Sequence, residues 1–259
     1  MKLHVRALAF ALTLAFPAVL LADDAEIHTF HCLHGCPSGA PATNDLVVRE
    51  IYTLSSNDLT KFSDWVAYKV TRQTIGSGEA RRWQRDPWLG GDETLPPAAY
   101  DGASAALDID RGHQAPLAAL SAPPHAQDTN ILSNITPQRK GLNQSSWMFL
   151  EGRERKLAQD GGKSVFVLTG PLYERRMARL PATAARHRLP SAYWKVIALE
   201  ESGSTRLSSF IFEQETPRGA DYCMMRRSLD EVEERSLLQL FPRLTERRFA
   251  SLDAGLGCS

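Results

Sequence analysis

An α+β fold in one domain, with helices laid against an antiparallel sheet, is predicted by three features of the sequence. Five short segments are rich in β-branched and aromatic residues: Val47–Leu54, Trp65–Val70, Ser164–Leu168, Ala192–Leu199 and Arg206–Phe212. Two longer stretches, Leu142–Asp160 and Asp230–Phe241, carry helical patterns, the second opening on Asp230 and Glu233 as a capping pair. The 259 residues are 43% hydrophobic and 23% charged, with no internal repeat, low-complexity tract or interdomain linker, so one core can form. Mixed segments of this kind pack as layers around that core.

In chain order, the first segment stands apart from the fold. Lys2 and Arg6 precede an uncharged run from Ala7 to Leu21, and Ala22 lies just before Asp23-Asp24. A basic start, an apolar stretch and a small residue at the cut read as a signal peptide over residues 1–22, cleaved near Ala22. The run is shorter than the ~20 residues that span a bilayer, and no later segment is long and apolar enough, so no membrane association is expected. The mature chain, 23–259, is then secreted or periplasmic.

Thirty basic and 30 acidic residues balance to a formal net charge of +0, which excludes a uniformly basic nucleic-acid binder. Any phosphate-binding surface must be a local patch. Cys32, Cys36, Cys223 and Cys258 are an even set in an oxidising destination and read as two local disulfides, Cys32–Cys36 and Cys223–Cys258. The competing reading of His28, His31, Cys32, His34 and Cys36 is a zinc site, against which the ligand spacing is loose. From about Thr71 to Leu107 glycines and prolines punctuate an irregular stretch, a length of loop that is functional or disordered.

Two neighbouring segments carry chemistry. Asp110-Arg111-Gly112-His113 follows a strand-like approach at Ala105–Ile109, and a His between such charges can serve as a general base, or simply as a hydrogen-bonded turn residue. In Leu142–Arg155, the residues Asn143, Trp147, Glu151 and Arg155 are four apart and share one helical face. Their oxygen donors suit Mg²⁺, which keeps several waters. Equally, Glu151 and Arg155 can be an ordinary ion pair with Trp147 in the core.

Taken together, Asp110-Arg111-Gly112-His113, Ser133-Asn134-Ile135-Thr136-Pro137-Gln138, Leu142-Asn143 and Leu150-Glu151 resemble the DNA/RNA non-specific endonuclease family, with its ββα-metal motif. The likeness extends through Trp65–Tyr68, Thr169–Arg175, Pro190–Val196 and Thr216–Asp221 and includes all four cysteines; Ser121–Thr129 and Thr245–Ser259 depart most. It implies a Mg²⁺-dependent hydrolase, with Mn²⁺ as a substitute, that cuts DNA and RNA and leaves 5′-phosphates. His113 would be the general base and Asn143 the direct metal ligand. Glu151 would orient the metal's waters and Arg81 would clamp the phosphate, although the adjacent Arg82 exchanges with it on a one-residue shift. Arg111 and Arg155 would lie beside the phosphate, and Asn134 and Asp110 would support the site. A homodimer is suggested by the resemblance alone. Two other classes compete: an exported binding protein of the same fold without catalysis, and a phosphodiesterase for small nucleotides or lipid head groups.

Overall fold

The structure is a computed structural model and describes residues 27–77, 80–122, 124–244 and 247–259. The segment 1–22, expected from the sequence to be a signal peptide, lies outside the described residues.

Alternating apolar residues build an eight-stranded sheet. Its strands are β1 (Asp45–Val48), β2 (Tyr52–Asn57), β3 (Phe62–Val70), β6 (Val165–Leu172), β7 (Ala192–Glu201), β8 (Ser204–Glu213), β9 (Arg226–Arg227) and β10 (Ala250–Ser251). The order is β1-β2-β3-β6-β7-β8-β10, with β9 on the same outer edge of β8, and every pairing is antiparallel except β10 with β8. A separate two-stranded sheet pairs β4 (Ile109–His113) with β5 (Ile135–Arg139). The helices are α1 (Ala103–Leu107), α2 (Lys140–Leu142), α3 (Met148–Gly161), α4 (Leu229–Ser236) and α5 (Asp253–Leu256).

The two-residue strand period sorts side chains to two cores. Val66, Tyr68, Tyr193 and Ile197 face α3, joining Trp147 and Leu150. Trp65, Ala67, Trp194 and Val196 face α4, joining Leu229, Val232, Cys32 and Cys36. On the α3 side the same period drives a lysine inward. Lys195 has no exposed side-chain surface, yet its ammonium donates to Glu154 Oε1 (2.8 Å) and Tyr68 Oη (3.0 Å). Tyr68 in turn donates to Glu154 Oε2 (2.8 Å), and the ammonium lies 4.4 Å from the Trp147 ring centre. Lys195→Met should therefore cost about 3–5 kcal/mol in urea unfolding, because it strands the Glu154 carboxylate in the core.

Four sequence expectations change. Val47–Leu54 is not one strand but the β1–β2 hairpin, because Arg49 leaves the strand direction to pair with buried Asp86 at 2.5 Å while its N–H bonds back to Tyr52 O. The approach at Ala105–Ile109 is helical up to Leu107; Asp108, at φ 54°, turns the chain into β4, so His113 ends a strand and not a polar turn. The helix expected over Leu142–Asp160 is broken at Ser145 (φ −139°, ψ −106°) within a π-helical turn, Asn143–Trp147. Ser145 Oγ accepts from Gly219 N–H (2.7 Å) and Ser146 Oγ donates to Ala220 O (2.6 Å), so a distant loop draws this turn open. Finally, Ser228 caps α4 through Glu231 N–H, whereas Glu233 accepts from Leu240 N–H, and the helix stops at Ser236 instead of running to Phe241.

Both disulfides form, with Cα–Cα distances of 4.9 Å for Cys32–Cys36 and 5.4 Å for Cys223–Cys258. The second spans 35 positions and ties α5 to the segment before β9, against a span of 4 for the first. On loop-closure entropy it should contribute about 4 kcal/mol and the shorter one about 2. Thermal unfolding of the two Cys→Ser pairs should show the larger loss for Cys223–Cys258.

Candidate active site

Beside the α3 face of the sheet, α1, β4, the α2–α3 turn and α3 itself line an open cleft of about 560 Å³. It brings together Arg81, Asp110, Arg111, His113, Asn143, Glu151 and Arg155, seven of the eight non-cysteine residues singled out in the sequence. Asn134 lies behind the wall. Arg82 is not among the lining residues, so Arg81 is the arginine of that pair that enters the cleft. Trp147 departs from the expected face: it is buried in the core, and the break at Ser145 lets Asn143 reach the cleft independently of the helical register.

His113 sits at the end of β4, next to a glycine the packing demands. A Cβ on Gly112 would stand 2.1 Å from Gln138 Oε1. The ring's Nε2 lies 3.1 Å from Asn130 Oδ1, and Asn130 Nδ2 donates to Gln127 Oε1. With that amide nitrogen already engaged, Asn130 presents its oxygen to the ring. Nε2 must therefore carry the proton, which leaves Nδ1 as the basic nitrogen. Burial lowers the His113 pKa to about 4; the Asn130 bond opposes this and the Arg81 charge adds to it. The imidazole is thus neutral at physiological pH.

Asn130 was not singled out in the sequence; it follows directly on Ser121–Thr129, one of the stretches that departs most from the family pattern. Asn134, expected to support the site, is buried; its amide donates to Ala115 O (2.9 Å) and Thr129 O (2.8 Å) and accepts from Ala115 N–H (2.8 Å). It pins the chain after His113 to the turn that carries Asn130. Asn130→Ala should lower kcat roughly tenfold or more with little change in KM, since the ring loses the partner that fixes its tautomer. Steady-state kinetics would check this, and Asn130→Asp, which retains an acceptor, should recover part of the rate.

Across the cleft, Asp110 Oδ2 accepts from Asn143 Nδ2 (2.9 Å) and Gln144 Nε2 (2.7 Å). Because Asp110 holds the amide nitrogen, the Asn143 oxygen is the atom left to offer a ligand. The Glu151–Arg155 ion pair does not form. Glu151 instead faces the Lys195 ammonium at 3.9 Å, with a side chain only 12% exposed. Burial pushes its carboxyl up to about 7, against the pull of Lys195; Glu154 raises it further and Arg155 lowers it. A cation in the cleft would draw it back down.

The donor set fits a hydrated divalent cation: one amide oxygen, one largely buried carboxylate and open room in the cleft. Among the described residues, the cluster of three carboxylates close enough to cage an ion, Asp45, Asp58 and Glu93, contributes nothing to the cleft lining. The arginines differ in freedom. Arg111 bonds to Pro97 O (2.9 Å) and lies over Trp83 and Tyr100, 5.5 and 5.2 Å from their ring centres, whereas Arg81 is exposed.

The family model described as DNA/RNA non-specific endonuclease matches residues 35–246. The chain is 46% identical over 250 residues to a nuclease of Serratia marcescens, covering 94% of both chains. To the mitochondrial endonuclease G of Homo sapiens it is 29% identical over 177 residues, 64% of this chain and 58% of that one. Among solved structures, the crystal structure of an EndoG/EndoGI complex shares the fold, with a TM-score of 0.69 at 20% identity over 82% of this chain and 91% of that chain. A match along most of the sequence, and a relative this similar from end to end, establish that the chain belongs to the DNA/RNA non-specific endonuclease family and is a nuclease, a phosphodiester hydrolase.

Proposed function

We propose that the protein is an exported, Mg²⁺-dependent endonuclease that hydrolyses DNA and RNA with little sequence preference and leaves 5′-phosphorylated ends. The observation that carries this reading is the pairing of a neutral His113, its Nδ1 unprotonated, with Asn143 and the arginines in one cleft.

His113 Nδ1 takes the proton of the water that attacks phosphorus; its neutral state makes the lone pair available without a prior deprotonation. Arg81 and Arg155 place guanidinium N–H groups on the phosphoryl oxygens, where negative charge grows in the transition state. Arg111, held by Pro97 O and two aromatic rings, sets the rear wall of the phosphate site. Asn143 and Glu151 would hold the cation, with Asp110 fixing which amide atom Asn143 presents. When bound, Mg²⁺ supplies Lewis-acid stabilisation of the phosphoryl charge and of the departing 3′ oxygen.

Phosphate contacts position a nucleic acid without reading its bases, which supports action on DNA and RNA alike. Export is supported by the two disulfides and by the pattern of residues 1–22, and no described helix is long and apolar enough to cross a membrane. A homodimer belongs to the same reading and is checked by light scattering of the purified protein. For the activity, ends would be mapped after cleavage of a long duplex and a long RNA at several salt concentrations. Cuts without a consensus, 5′-phosphate ends and a rate that falls as salt rises are expected. A narrow consensus, or inertness toward RNA, would overturn it.

A further inference from the structure

A second basic surface lies outside the catalytic cleft, on the connection between β6 and β7. Arg175, Arg176, Arg179, Arg186 and Arg188 are all exposed there and line an open groove of about 700 Å³. The carboxylate in that lining, Glu174, is already held by Arg235 at 2.7 and 2.8 Å. For a chain of +0 formal charge this is a strong local excess.

Most of that charge is uncompensated. Arg175 is paired with Glu213 (3.2 Å) and Glu215 (2.6 Å). Arg179 and Arg188 donate to the backbone carbonyls of Ala185 and Tyr173, which satisfies an N–H but neutralises nothing. Arg176 and Arg186 make neither an ion pair nor a side-chain hydrogen bond among the described residues. Four guanidiniums therefore face solvent without a counter-charge.

The scaffold beneath them is fixed. His187 is buried, accepts Leu180 N–H at Nε2 (3.0 Å) and donates from Nδ1 to Ala185 O (2.7 Å), closing the loop on itself. Leu180 and Leu189 plug the same apolar cluster as Tyr100, Ala103 and Ile109. Those three residues also line the catalytic cleft, so the groove's loop and the cleft wall are anchored in one apolar cluster. Forked guanidiniums on a pinned loop suit a run of phosphates, because little loop ordering remains to be lost on binding.

We propose that this groove is a second phosphate-binding track, which holds a distal stretch of the polynucleotide whose scissile phosphate occupies the cleft. It rests on the nuclease activity proposed above and adds to it a dependence on substrate length. The track grips long nucleic acids by their backbone and leaves the chemistry to His113.

The test is the double substitution Arg176→Ala and Arg186→Ala, both on the exposed surface and outside the catalytic cleft. Kinetics would be measured on a long duplex and on a tetranucleotide, which spans only about 14 Å at ~3.4 Å per nucleotide. KM for the duplex should rise roughly tenfold or more, with kcat unchanged, and the slope of log affinity against log salt should fall by about 1–2. KM for the tetranucleotide should stay at the wild-type value. An unchanged duplex KM and salt slope, or equal losses on both substrates, would overturn the proposal. Anisotropy of a labelled duplex in EDTA reads the groove without catalysis. If the wild type fails to cleave, the proposed activity fails alone, while a weaker duplex affinity of the double variant still upholds the groove. Groove-dependent binding to anionic vesicles, with duplex binding unaffected, would assign it to a membrane instead.

Discussion

His113→Ala should lower kcat by about two to four orders of magnitude, the range that removal of a positioned general base produces. Folding should survive, because the ring's side-chain hydrogen bond is to Asn130 and its aromatic contact is with the Trp83 ring at 5.4 Å, both rings lining the cleft. The variant should bind Mg²⁺ and nucleic acid as the wild type does, since Asn143, Glu151 and Arg81 are untouched. Free imidazole should restore part of the rate by entering the space left beside Trp83. Single-turnover cleavage with and without imidazole measures this. Near-normal activity in the variant would remove His113 from the chemistry.

Asn143→Ala should fail by a different route. It deletes the amide oxygen offered to the cation and also one of the two donors on Asp110 Oδ2, leaving Gln144 as the other. The apparent Mg²⁺ requirement should rise by roughly 100-fold or more, as loss of a ligand exceeds the 10–100-fold typical of an outer-shell partner. Metal titrations of both variants separate the roles: Asn143→Ala should need more Mg²⁺, His113→Ala should not. Equal losses of metal affinity would show that the two residues are not divided between base and ligand as described.

The central sheet was legible because Trp65–Val70, Ala192–Leu199 and Arg206–Phe212 are strongly apolar and punctuated by turns. The β1–β2 hairpin was not, since the turn at Arg49 contains neither glycine nor proline and is set by pairing with distant Asp86. The break at Ser145 follows from bonds to Gly219 and Ala220, so no local pattern could disclose it. Five residues of α1 are too few for a helical period to register. At the site, His113, Asn143 and Glu151 were found as a combination of motifs. Asn130 and Lys195 act on them from other segments, and their importance is a matter of tertiary distance. Asn130 fixes the ring's tautomer, and Lys195 stands opposite Glu151 from within β7.

Loss of supercoiled plasmid, followed by gel, is the most direct test of metal-assisted phosphodiester cleavage in this cleft. The wild type should convert supercoiled DNA to nicked, then linear, then short fragments in Mg²⁺, and EDTA should stop the reaction. A plasmid that stays supercoiled in Mg²⁺, or cleavage that continues unchanged in EDTA, would contradict it.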